Sequence, residues 1–153
     1  MGWGSAVTEI SISVHGRPRS RGSKRAVHRH GKTILLDSDK HSRAWVDAIR
    51  AAAGEVWDGE LLRGPVLVDV IFFFARPKCH FGTGKNASVK KTSAPIAHTQ
   101  KPDVDKSLRG VLDGLTGVIF KDDSQVVRAI AAKAWTLAGE RTDIMIASLE
   151  ATP

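Results

Sequence analysis

The sequence has one cysteine, Cys79, among 153 residues. A lone thiol excludes an intramolecular disulfide framework and any cysteine-rich zinc module, since both need at least a pair. Long apolar runs are also missing. The longest, Val66 to Ala75, is interrupted by Asp69 and falls well short of the ~20 residues of a membrane helix. The N-terminus carries no positive region followed by an apolar stretch, which is the pattern of a signal peptide. These absences lead us to expect a soluble protein of a reducing, intracellular compartment. What is present fits one domain: 16.5 kDa, 42% hydrophobic and 25% charged, in the range of a globular chain.

Acids are unevenly scarce. The chain has 23 Lys and Arg against 16 Asp and Glu, a net charge of +7. From Ile10 to Leu36 there are seven cations and no acid, and from Val70 to Pro102 six more, again with no acid. Clustered cations without local neutralisation gain by displacing counterions from a polyanion, so nucleic acid is the expected partner. Lys24, Arg25 and Arg29 are the candidates for DNA backbone contacts. His28 and His30 flank Arg29 and suit phosphate contact better than catalysis. A solvated basic surface is the competing reading.

Alternation over Val7–Val14 predicts a half-buried strand, followed by a turn at His15–Pro18 and a basic loop to about Lys32. Thr33–Leu36 reads as a short strand. A helix is expected over about Lys40–Val56, capped by Ser38 or Asp39, with Ala44, Trp45, Ala48, Ile49, Ala52 and Val56 at helical spacing. Trp45 and Trp57 read as core or interface. Val66–Phe74 predicts a buried strand. Residues 76–101 show little periodicity and predict a mobile, substrate-facing loop, with a disordered insertion as the competing reading. Cys79-His80 on that loop gives too few ligands for a metal site. Leu108, Val111, Leu112, Leu115 and Ile119 predict a second helix ending near Gly117. Strands over Gln125–Thr136 and Arg141–Leu149 follow, separated by a turn at 138–140. The sum is an α+β domain spanning 1–153.

Five of the 16 acids fall between Asp103 and Asp123. Asp103 and Asp105 are two apart, so extended backbone puts both carboxylates on one side. Helix from Lys106 onward places Asp105, Arg109 and Asp113 on one polar face, and Asp122-Asp123 is close enough to fold back on the helix start. Singly, Asp105 reads as a charge favoured at a helix N-terminus and Asp122-Asp123 as a turn. Together, grouped carboxylates without His or Cys suit Mg²⁺, with Mn²⁺ substituting, rather than Zn²⁺. Such an ion binds phosphate and acidifies an attacking water.

The run Lys101-Pro-Asp-Val-Asp-Lys-Ser-Leu-Arg-Gly-Val-Leu-Asp-Gly-Leu115, with Asp122-Asp-Ser-Gln-Val-Val127, resembles the RusA family of Holliday junction resolvases. The shared features are Asp-x-Asp, a basic residue four positions on, Asp-x-Leu, and paired Asp before a Gln-Val strand. The resemblance implies a small mixed β-sheet with helices packed on it. It further implies a homodimeric, Mg²⁺-dependent endonuclease that cuts four-way DNA junctions by paired symmetric incisions, at home in a bacterial cytoplasm and common on phages and prophages. By the same resemblance, Asp103, Asp105 and Asp123 are the metal-binding and catalytic acids, and Asp113 matches a further motif Asp whose role is structural. Arg109 stands where the best-known form has Lys, and Lys106, a candidate DNA contact, where it has Asn. Arg109 keeps the charge that stabilises a phosphorane-like transition state, but it does not readily release a proton.

Two rivals stay open on sequence alone. One is a catalytically silent, structure-selective DNA-binding protein. The other is a nuclease for flaps or forks, because branch geometry leaves no motif.

Overall fold

In a computed structural model, residues 8–22, 24–37 and 39–149 are described. Ser38 and Val7, which bear on the predicted cap and first strand, lie outside them. Four strands, β1 (Thr8–His15), β4 (Val66–Ala75), β5 (Val126–Thr136) and β6 (Arg141–Ser148), form one sheet in the order β1-β6-β4-β5. β4 pairs antiparallel with β6 and parallel with β5, so the sheet is mixed. The molecule is α+β, as the sequence predicts. Strands β5 and β6, neighbours in sequence, are separated in the sheet by β4.

Helices α1 (Ser42–Val56) and α2 (Val104–Leu115) cover one face. The inner positions Ile10, Ile12, Val14, Val66, Val68, Val70, Phe72, Phe74, Ile144 and Ile146 alternate with outward residues and form the core with Trp45, Ile49, Val111 and Leu115. Each fully buried side chain of this size stabilises by about 1.5–3 kcal/mol. Close approach of the helices rests on glycine. A Cβ at Gly110 would lie 2.6 Å from the Trp45 ring, and one at Gly114 would lie 2.7 Å from Ile49. α1 begins two residues later than predicted. Asp39 does not cap it by side chain; its carboxylate instead accepts from the His41 amide at 2.9 Å.

The predicted basic loop is in part a strand. β2 (Lys24–Arg29) pairs antiparallel with β3 (Lys32–Asp37) in a separate two-stranded ribbon, joined by His30-Gly31 with φ of 49° and 72°. Left-handed conformation at both turn residues matches the twist of a tight hairpin. Residues 76–101 are also more built than predicted. Two short 3₁₀ turns, Lys78–His80 and Gly84–Asn86, and a Phe81–Lys90 bridge organise them. The buried His98 ring stacks on Phe74 at 4.1 Å between centroids and lies 4.4 Å from Trp135. His80 meets Trp135 edge-on at 5.0 Å, and Arg76 donates to the Pro95 carbonyl at 2.8 Å.

Candidate active site

α2 is the element on which the acids are arranged, and the loop between β1 and β2 docks against it. The Arg21 amide donates to the Lys106 carbonyl at 3.0 Å, and Ser107 Oγ donates to the Arg19 carbonyl at 2.7 Å. Arg21 pairs with Asp113, while Arg50 from α1 donates to the Asp113 carbonyl at 2.9 Å. Arg109, exposed on α2, lies against Gly22. A Cβ there would sit 2.7 Å from its Nη1, at the end of a flexible side chain that can move aside, but Gly22 has φ of 134°, a conformation that favours glycine.

Asp103 occupies the N-cap position of α2, yet its side chain caps no helix amide. Its carboxylate instead meets Lys106 Nζ at 3.1 Å, with both side chains partly exposed. Asp105 is exposed in the first turn and makes no ion pair among the described residues. The helix N-terminus favours both negative charges. Beside them a cleft of about 460 Å³ is lined by Arg17, Arg19, Lys101, Asp103 and Lys106 among others. Lys101 and Pro102, joined by a cis peptide bond, form its near edge.

Asp122 and Asp123 lie elsewhere. They share a second cleft with Arg21, Arg50, Asp113 and Thr116, toward the other end of α2. The sequence suggests that this pair folds back on the helix start, and within the single chain it lies with Asp113 instead. The reason is local. Leu62 donates its amide to Ile119 at 2.8 Å, and Gln125 donates to the carbonyls of Leu62 and Gly64 at 2.9 and 3.0 Å. These bonds hold residues 119–125 against the segment preceding β4. Asp122 accepts from the Ser124 amide at 2.8 Å, and this bond holds its carboxyl below the ordinary value. Among the described residues, no three His, Cys, Asp or Glu side chains gather closely enough to hold a metal ion.

Lys24, Arg25 and Arg29 are exposed on β2 and make no ion pair among the described residues. Cys79 is exposed and free. Sequence reasoning missed Arg21, which fixes Asp113, and Lys133 on β5, which donates to the carbonyls of Gln100 at 2.6 Å and Pro102 at 3.0 Å. No local pattern marks either one, because both partners are distant in sequence.

The acid-bearing helix start thus lies beside a cleft lined by four cations and two acids, on a positively charged α+β body. The chain matches the family described as Endodeoxyribonuclease RusA over residues 15–147 and belongs to it. Members of that family are Holliday junction resolving endodeoxyribonucleases that generally need a divalent metal. The chain is also 32% identical over 142 residues to an uncharacterized protein, YqaN, of Bacillus subtilis (strain 168), an alignment covering 93% of this chain and 98% of that one. No helix among the described residues is long and apolar enough to cross a membrane.

Proposed function

We propose that the protein, acting as one unit over its whole length, resolves four-way DNA junctions by paired symmetric hydrolysis with Mg²⁺, or with Mn²⁺ in its place. The carrying observation is the start of α2, where Asp105 has no ion pair among the described residues and Asp103 caps no amide, beside a cleft lined by four cations. Those two carboxylates fit a hard cation, because Mg²⁺ takes one or two carboxylates and fills its shell with water and substrate phosphate. When bound there, the ion supplies an acidified water and neutralises phosphate charge.

The chain's own residues do the rest. Lys106 holds the Asp103 carboxylate before DNA arrives and turns to a phosphate afterward. Arg109, which passes close to Gly22, neutralises charge developing on the scissile phosphate. Lys24, Arg25 and Arg29 lie along a basic ribbon and grip the junction arms. Asp123 sits with Asp113 in the protomer, so its share in holding the ion is one that a second copy of the chain would supply. A homodimer also answers the need for two opposed cuts. Such an enzyme works in the cytoplasm of a bacterial host, encoded by a phage or prophage.

The test is incubation of the purified protein with a synthetic four-way junction, a flap and a linear duplex, each with Mg²⁺, Mn²⁺, Zn²⁺ or chelator. Paired nicks in the junction with Mg²⁺ or Mn²⁺ are expected, and none in chelator or with Zn²⁺ alone. Binding without cutting under every metal would favour a silent DNA-binding protein. Preferential cutting of the flap would reassign the substrate.

A further inference from the structure

The inner face of the four-stranded sheet carries apolar side chains, with Thr142 and Ser148 as its small polar positions, up to one exception. Lys133 stands on β5 in register with Phe72, between the inward Ala131 and Trp135. A charged group at such a position loses solvation unless hydrogen bonds replace it. They do: Nζ donates to the Gln100 carbonyl at 2.6 Å and to the Pro102 carbonyl at 3.0 Å. The Pro102 carbonyl belongs to the peptide unit whose nitrogen is that of Asp103. The ammonium therefore grips the backbone from which the Asp103 side chain departs.

That grip supplies something the helix start otherwise lacks. An aspartate at an N-cap position ordinarily fixes itself by accepting from a helix amide, and Asp103 does not. Its lone pairs are taken by no helix amide, and its backbone is held from the inner face of the sheet instead. We propose that Lys133 is a positioning residue, which fixes Asp103 so that its carboxylate faces the cleft ready for a divalent cation. This rests on Asp103 being a metal-holding carboxylate. Lys133 itself touches neither substrate nor metal; it acts through the 100–103 backbone.

The test compares Lys133→Met and Lys133→Arg with wild type. In Lys133→Met the Mn²⁺ concentration for half-saturation, read by electron paramagnetic resonance, should rise about 10–100-fold, the usual loss when an outer supporting partner is removed. Junction cleavage should need correspondingly more Mg²⁺, whereas junction affinity in chelator should not change. Hydrogen exchange in residues 99–107 should quicken. Lys133→Arg, which can still donate to both carbonyls, should recover most of the metal affinity. If Lys133→Met does not fold, Lys133→Gln, a shorter neutral amide donor, carries the same test with a smaller shift.

Faster exchange with unchanged Mn²⁺ half-saturation would make Lys133 an anchor of the connection only and overturn the proposal. So would unchanged exchange. If wild type neither binds Mn²⁺ nor cuts, the reading of the acids as a metal site fails instead. Exchange in 99–107 would still report whether Lys133 holds that segment, so the two failures are distinguishable.

Discussion

Two aspartates occupy helix N-cap positions in this protein, Asp103 before α2 and Asp122 before the 3₁₀ turn at Asp123–Gln125. Asp122 spends its carboxylate on the Ser124 amide, and Gln125 returns the favour to the Asp122 amide at 3.1 Å. Asp103 caps no helix amide; its contact is the partly exposed ammonium of Lys106, one turn along the same helix. The same division runs along α2. Asp113 is locked between Arg21 and Arg50, while Asp105 has no ion pair among the described residues. A carboxylate has a finite number of lone pairs, and those engaged by fixed amides and guanidinium groups are not available to a ligand. On the proposed reading, Asp103 and Asp105 at the helix start are the acids left for chemistry, whereas Asp113 and Asp122 at the far end are engaged in structure.

The comparison breaks most sharply at Asp105. Asp105→Asn should lower Mg²⁺-dependent junction cleavage by on the order of 10²-fold or more, as expected when electrostatic support for the reacting phosphate is lost. Its metal-free binding of the junction should stay equal or tighten, because an anion facing phosphate is gone. Parallel loss of binding and cutting in a folded variant would mean that Asp105 builds structure as Asp113 does.

Arg109 comes next. Arg109→Ala should cost roughly 10²-fold in cleavage rate, whereas Arg109→Lys should keep much of it, because charge and not proton donation is the proposed role. The measurement is single-turnover cleavage at saturating metal. Equal rates for wild type and Arg109→Ala would remove this residue from the site.

Legibility in the sequence divides along a related line. The α2 stripe of Leu108, Val111, Leu112 and Leu115 and the alternation in β1 are local periodicities, so both elements were foreseeable. So was the acidic run, since five acids within 21 residues stand out in a basic chain. The β2–β3 hairpin was only half visible. Lys-Arg-Ala-Val-His-Arg lacks alternation, and its turn needs His30 in a left-handed conformation that the residue type does not announce. The parallel pairing of β4 with β5 and the Arg21–Asp113 pair depend on residues far apart in the chain. Lys133 in Ala-Ala-Lys-Ala-Trp reads as a solvated position, and only the sheet register shows that it faces inward.

The structural end of α2 gives a smaller effect. Asp113→Asn removes the charge paired with Arg21 but leaves the Asp113 carbonyl to Arg50. Both partners are about one-third exposed, so solvent screening limits the loss to about 0.2–1 kcal/mol of stability. Urea unfolding should register that loss, with the junction cleavage rate close to wild type. A fall in cleavage as large as that of Asp105→Asn, without loss of stability, would place Asp113 among the chemical acids and erase the division between the two ends.

The smallest effect concerns the connection that leads to Asp103, and it is read by pH. His98 is buried against Phe74 and Trp135; burial first, then the charges of Lys133 and Arg17, hold its pKa below the ordinary 6.5, while Glu140 acts the other way. A histidine whose pKa is lower in the folded than in the unfolded chain binds fewer protons when folded. Its contribution to stability is therefore fully present above about 6.5 and is lost as pH falls toward the lowered folded value. The urea midpoint of wild type should decline over that range, and that of His98→Phe, which keeps a ring on Phe74 and cannot take a proton, should decline less. At neutral pH the two proteins should differ little. If both midpoints fall in parallel from neutral pH into the acid range, His98 does not couple protonation to the folding of this connection.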